Sequence, residues 1–274
     1  MTGRRSPFKR AKNSLVLQER DKKIIALCHD YRFLTQEQIR LLAGFGCRVR
    51  AGIRLRKLFD NGYLSRRFLP VFQGMGKILY FTGPRGIEII SEKSGVDPLK
   101  IKQKRKQLLE TRNFSLPHYL LINEFRLALS LASKNNPEIS LKFWNTQKEI
   151  PLCLEEKEFY PDAYFVYGYH NKLYNLFLEI DRSTETNKRF QGKVNNYLKY
   201  GFEGYYQKQF GFQFFRVLVT FKSMARLRNL KKLIEQKTDK MFWLVLQADV
   251  SPEKILGKIW HRPAQNSLFS ILED

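Results

Sequence analysis

Cysteine is scarce in this 274-residue chain. Cys28, Cys47 and Cys153 are scattered and odd in number. They build neither a disulfide framework nor a zinc-binding spacing, so reduced thiols in a cytoplasm are expected. Histidine is nearly as scarce. His29, His118, His170 and His261 form no HxH or HxxxH pair, which argues against a histidine-cluster metal site. No run approaches the roughly 18 apolar residues of a membrane span. The basic N-terminus lacks the apolar stretch of a secretory signal. No segment repeats at a fixed period. Acid is the other shortage: 26 Asp+Glu face 49 Lys+Arg, a net charge of +23. The excess is uneven. Residues 1–116 carry 26 basic and 9 acidic side chains; the remaining 158 residues carry 23 and 17. A polyanion is the natural partner, and with no basic amphipathic anchor in view nucleic acid is favoured over a membrane.

What is present supports a folded core, with 43% hydrophobic residues and 22 Phe. Residues 1–19 form a basic arm, with Arg4, Arg5, Lys9, Arg10 and Lys12, expected to be solvated or to track phosphates. Ile24, Leu27, Cys28 and Tyr31 have helical spacing. Thr35 and Gln38 make a capping box for a second helix over residues 36–43. After the Gly44-Phe45-Gly46 turn, a third helix is predicted over 48–60, with Val49, Ile53, Leu55, Leu58 and Phe59 inward. Residues 63–69 and 77–82 are expected as strands around a tip at Gln73–Gly76, then a helix over 84–93. Three helices, a tight turn and a two-stranded wing describe a winged helix-turn-helix over residues 20–93. In that geometry the third helix enters the major groove and the wing touches backbone. The predicted DNA-binding residues are Arg48, Arg50, Arg54, Arg56 and Lys57 on the helix and Arg66, Arg67 and Lys77 on the wing. Lys102, Lys104, Arg105 and Lys106 join them from LKIKQKRKQ, taken either as an interdomain linker (residues 94–113) or as a basic helix lying on DNA.

The second domain, residues 114–274, is expected to be a mixed α/β sheet flanked by helices. A helix over 118–134 carries one acid, Glu124, and a strand over 140–146 follows it. Residues 149–158 form an acidic loop. FGFQFFRVLVTF (210–221) and MFWLVLQ (241–247) have the composition of buried strands, with a helix over 222–237 between them. Residues 251–255 are expected as a short helix and Trp260 as a late core residue.

The chemistry concentrates in residues 160–200. A hairpin turn near His170 places Asp162 nearly opposite Glu179. Side chains alternate along a strand, so Glu179 and Asp181 share one face and Leu176, Leu178 and Ile180 the other. Three carboxylates that close repel unless a cation lies among them. Oxygen ligands of this kind suit Mg2+ or Mn2+. On the helix that follows, Lys193 and Tyr197 are one turn apart. A lysine there can stabilise charge developing on a phosphate.

Pro161-Asp162 followed by Glu179-Ile180-Asp181 on consecutive strands resembles the PD-(D/E)xK nuclease pattern. The lysine that commonly stands two residues after the second acid is replaced by Asp181. Lys193 matches the branches in which that lysine has moved to the next helix. LEIDRSTET followed by KVNNYLKY, with a winged helix in front, resembles the plasmid replication-relaxation family, which includes MobC-type mobilisation relaxases. That resemblance implies a restriction-endonuclease-like fold for the second domain. It implies metal ligation by Asp162, Glu179 and Asp181, catalysis by Lys193, and an extra acid at Glu124. It also points to His118 as a recurrent family position. The function implied is site-specific, metal-dependent DNA nicking in plasmid or mobile-element replication or mobilisation. The partners implied are an origin-like duplex, single-stranded DNA, and accessory replication or mobilisation proteins. The alternative is a non-catalytic origin-binding initiator or transcriptional regulator on a nuclease-like scaffold.

Overall fold

The computed structural model describes residues 15–69, 76–146, 149–183 and 185–273. The arm up to residue 14 and most of the wing tip, residues 70–75, lie outside them. The chain divides into two compact units, 1–123 and 124–274.

The first unit follows the sequence pattern closely. Helix α1 covers Glu19–Asp30 and short strand β1 Leu34–Thr35. Helix α2 (Gln36–Leu42) starts at the predicted capping box: Gln38 N–H donates to Thr35 Oγ1 and Thr35 N–H to Gln38 Oε1. Helix α3 spans Arg48–Asp60. It ends where Gly62 adopts φ +78°, a left-handed conformation that costs glycine nothing and lets Tyr63 N–H reach back to the Leu58 carbonyl. Strands β2 (Leu64–Phe68) and β3 (Ile78–Thr82) form the wing, and β3 pairs with β1 on its other side. Ile24, Cys28, Ile39, Leu55 and Leu58 fill the core between the helices.

The inward set of α3 differs from expectation. Ala51, Leu55, Leu58 and Phe59 are buried, whereas Val49 and Ile53 are 67% and 55% exposed. Apolar character alone had placed them inside, but they lie on the opposite side of the helix from Leu55 and Leu58.

Helix α4 covers Gly86–Ser94. Residues 94–113 contain a helix, α5 (Pro98–Glu110), capped by Asp97 with Pro98 in the first turn. Ile101 buries against the first unit, and Arg105 donates to the Thr82 carbonyl (3.1 Å) and Ser65 Oγ (3.2 Å). The basic stretch is therefore a packed helix and not an extended linker. Helix α6 (Leu116–Asn135) follows. Leu116 and Leu120 join Phe33, Leu79 and Phe81 in a small core, and Asn123 Nδ2 donates to the carbonyls of Tyr31 and Phe33.

The second unit is a seven-stranded mixed sheet. In chain order its strands are β4 (Ile139–Thr146), β7 (Ala163–Tyr169), β8 (Lys172–Asp181), β9 (Arg216–Phe221), β10 (Phe242–Leu246), β11 (Trp260–His261) and β12 (Leu268–Phe269). Strands β5 (Leu152–Leu154) and β6 (Lys157–Phe159) make a separate small hairpin inside the stretch expected as an acidic loop. In space the large sheet runs β12-β11-β10-β9-β8-β7-β4, with β8, β9 and β10 mutually parallel. Parallel strands covered on both faces become continuous apolar runs, as RVLVTF and FWLVL do. On one face lie helices α7 (Asn187–Phe202), α8 (Tyr205–Phe210) and α9 (Met224–Glu235), packed on Phe177, Val217, Val219 and Leu244. On the other, Phe125 of α6 meets Trp144, Phe165 and Trp260.

Two local expectations are corrected. The FGFQFF half of the predicted strand does not pair: α8 ends at Gly211 (φ +76°) and β9 begins at Arg216. Residues 251–255 form consecutive turns and no helix, a segment too short to repay helix nucleation.

Candidate functional site

Two candidate sites emerge, one in each unit. In the first, α3 presents Arg48, Arg50 and Lys57 to solvent. Its remaining arginines are engaged. Arg54 clamps the fully buried Asp21 (Nε to Oδ1 2.7 Å) and also donates to the Val16 carbonyl (3.0 Å). Arg56 pairs with Asp60 at 2.8 Å. Arg54 is thus corrected from a DNA contact to an internal brace, because Asp21 needs its charge compensated. On the wing, Arg66 stacks over Phe59 at 4.0 Å, and Arg67 donates to the Thr111 carbonyl (2.7 Å) and to Asn113. Arg105 is likewise engaged, with the Thr82 carbonyl and Ser65. Lys77, Lys102, Lys104 and Lys106 are exposed.

In the second unit the hairpin register is the one expected. Ala163 faces Leu178 and Tyr169 faces Lys172, so Asp162 falls opposite Glu179. Asp162 N–H donates to the Leu178 carbonyl (3.0 Å), and Ile180 N–H donates to Asp162 Oδ2 (2.7 Å). Glu179 is buried near the C-terminal end of β8. Helix α7, capped by Thr186, carries Lys193 and Tyr197 over it. Lys193 Nζ lies 2.8 Å from Glu179 Oε2, and Tyr197 hydroxyl donates to Glu179 Oε1 at 2.7 Å. Lys193 also reaches Glu185 at 3.2 Å.

Burial pushes the Glu179 carboxyl up, the Lys193 charge pulls it down, and the nearby Asp162 pushes it up again, for a net rise. Burial works against the Lys193 charge, but Glu179 and Asp162 outweigh it and hold the ammonium above its ordinary range. Tyr197 is raised well above its usual value, by burial first and then by the Glu179 charge. The cluster is therefore a half-buried lysine facing three acids, Glu179, Asp162 and Glu185.

Asp181 lies on the same strand face, two residues on, but faces another partner. Arg226 of α9 holds its Oδ2 (2.9 and 3.2 Å), while Ser183 N–H donates to its Oδ1 (2.6 Å). The same guanidinium donates to the Glu185 carbonyl (2.8 Å) and to Asn187. It thereby ties α9 to the connection from β8 to α7. Glu124 is exposed on α6, next to Phe125, which packs on the opposite face of the sheet from Glu179. The structure does not bring Glu124 into the Glu179 network. His118 is half-buried in the first half of α6.

The fit to a divalent cation is correspondingly narrow. Among the described residues no group of three or more His, Cys, Asp and Glu is placed to hold a metal ion. Asp181 is committed to Arg226. What remains is the Asp162–Glu179 pair, and Mg2+ is commonly held by one or two carboxylates together with substrate phosphate.

The one-turn spacing from Lys193 put Tyr197 on the right face, but its hydrogen bond to Glu179 was not foreseen. Sequence reasoning missed two further participants. Arg226, 45 residues from Asp181 in sequence, had no local signal. Glu185 lies in the LEIDRSTET segment but was not singled out.

A family model described as replication-relaxation matches residues 25–214, more than two thirds of the chain. It spans the winged unit and the hairpin–helix site together. Comparison with curated proteins finds no match, and comparison with solved structures finds none. Among the described residues no helix is long and apolar enough to cross a membrane.

Proposed function

The chain belongs to the replication-relaxation family, which points to plasmid replication or mobilisation, and on that premise we propose that it is a site-specific DNA-binding protein that nicks one strand at its second unit. The winged unit holds an origin-like duplex through α3 and the wing. The second unit, on a restriction-endonuclease-like sheet, carries the cleavage site. The observation that carries this reading is Lys193 on Glu179 with Asp162 opposite in the strand register.

Asp162 and Glu179 would hold Mg2+ or Mn2+, which supplies Lewis acidity toward the phosphodiester and lowers the pKa of a bound water. Lys193 supplies a fixed positive charge where a phosphate oxygen gains negative charge. Tyr197 holds the second Glu179 oxygen, so the carboxylate keeps one orientation. In hydrolysis the water oxygen bonds to phosphorus and one ester P–O bond breaks. The water proton passes to solvent, and the departing oxygen takes up another.

The test is nicking of a supercoiled plasmid that carries sites selected from random duplex DNA by this protein. Open circles are expected with Mg2+ or Mn2+ and not with chelator. Glu179→Gln should lower the rate about 100-fold or more, the usual scale for removing an electrostatic element from such a site. Full nicking by Glu179→Gln would overturn the site.

A second reading, a binding protein without cleavage, is favoured by one observation: both Glu179 oxygens already have donors and Asp181 is committed to Arg226. Selective, salt-sensitive binding with no nicking under any divalent cation would select it.

A further inference from the structure

The outward face of α3 is apolar at its centre. Ala51, Leu55, Leu58 and Phe59 close the core side of the helix. At 100° per residue, Ile53 lies opposite that side, with Val49 and Lys57 one turn away in either direction. Val49 and Ile53 are 67% and 55% exposed, although nothing polar is attached to either. Arg48, Arg50 and Lys57, all exposed, surround them. The arginines on the two flanks, Arg54 and Arg56, are turned to Asp21 and Asp60, which leaves the aliphatic pair uncovered between them.

An aliphatic patch ringed by cations complements a surface that is apolar at its centre and anionic at its edges. The major groove of a duplex offers that combination where thymine C5-methyl groups line the floor between phosphate ridges. Val and Ile are β-branched, and in a helix one χ1 rotamer dominates. Their methyl groups are therefore already placed before binding, and little side-chain freedom is lost on contact. We propose that Val49 and Ile53 read thymine methyl groups in the target site, while Arg48, Arg50 and Lys57 hold the phosphates on either side. The inference rests on the duplex-binding half of the proposed function and not on cleavage.

The experiment starts with sites selected from random duplex DNA by the full chain. Each thymidine of a selected site is then replaced singly by deoxyuridine, which removes one methyl and leaves every hydrogen-bonding edge intact. Wild-type protein is expected to lose about fourfold in affinity at one or two positions, the scale of one buried methyl. A Val49→Ala, Ile53→Ala double variant should bind the thymidine site more weakly and be indifferent to those same replacements. Its thermal midpoint should match wild type, because both side chains are exposed. If wild-type protein is indifferent to deoxyuridine throughout, while Arg50→Ala still weakens binding, duplex reading survives and methyl readout is overturned. If no site is enriched and Arg50→Ala has no effect, the duplex-binding premise falls and the inference with it. The deoxyuridine series uses unaltered protein, so the outcome does not depend on how well a variant folds.

Discussion

Glu179 is buried near the C-terminal end of β8, and an isolated carboxylate there would be strongly disfavoured. Lys193 and Tyr197 make the position tolerable. Breaking a buried pair from one side leaves the other charge uncompensated and typically costs about 3–5 kcal/mol. Lys193 keeps a third of its side chain exposed, so Lys193→Met should cost less, about 2–3 kcal/mol in a urea titration. The pH dependence follows from Glu179, since Lys193 is charged in both folded and unfolded chains through neutrality. The folded carboxyl holds its proton more tightly than the unfolded one. A raised carboxyl contributes stability at low pH that is lost as pH rises above the unfolded value near 4.5. Lys193→Met removes the charge that limits this loss. The gap between wild type and variant should therefore be smallest at about pH 4 and widen toward about pH 8. A gap that stays constant over that range would show that Lys193 does not govern the ionisation of Glu179. At this scale the sequence was informative where a short-range rule applied. Hairpin arithmetic placed Asp162 against Glu179, and helical spacing placed Lys193 with Tyr197. The pairing of Asp181 with Arg226 depends on the parallel β8–β9 crossover, which no local pattern specifies.

Helix α3 shows what a residue type leaves open about a helix face. Its arginines look equivalent in the sequence, yet they divide into two kinds. Arg54 compensates the buried Asp21, while Arg50 touches solvent. Arg54→Ala should destabilise the first unit by about 3–5 kcal/mol, because Asp21 is left buried and charged. Arg50→Ala should leave the unfolding midpoint in place. It should instead weaken DNA binding and lower the slope of log affinity against log salt by about 1. Denaturant titration and a salt series on both variants separate the two roles. The assignment fails if Arg54→Ala is as stable as wild type. The boundaries of α3 were legible from the turn before it and Asn61-Gly62 after it. Its facing was not, since Val49 and Ile53 are apolar for a reason other than the core. Helix α5 was obscure for the converse reason. Ile101 is its one fully buried anchor, and with Leu108 two turns on as its only partly buried companion the apolar spacing is too sparse to stand out from the lysines.

For the molecule as a whole, the division into units determines which fragments can fold. The composition break near residue 94 suggested that a winged domain could end there. The contacts put the requirement further along the chain. Arg105 donates to the end of β3 and to Ser65, Ile101 buries in the helical core, and Leu116 and Leu120 cover Phe33, Leu79 and Phe81. Asn123 satisfies two backbone carbonyls, those of Tyr31 and Phe33, that would otherwise lack this donor. A fragment ending at Lys93 loses all of these at once. It exposes an apolar face that includes two aromatic rings, and exposed patches of this kind drive association. A fragment carried through Asn123, where the first unit ends, keeps them. The longer fragment is expected to be monomeric, to melt cooperatively and to retain the DNA affinity of the full chain. The shorter one should melt broadly or aggregate. Sedimentation and thermal melting of the two fragments side by side provide the check. Equal, cooperative melting of both would mean that α5 and the start of α6 are dispensable to the winged unit. The basic helix would then be free to act as the open connection its composition first suggested.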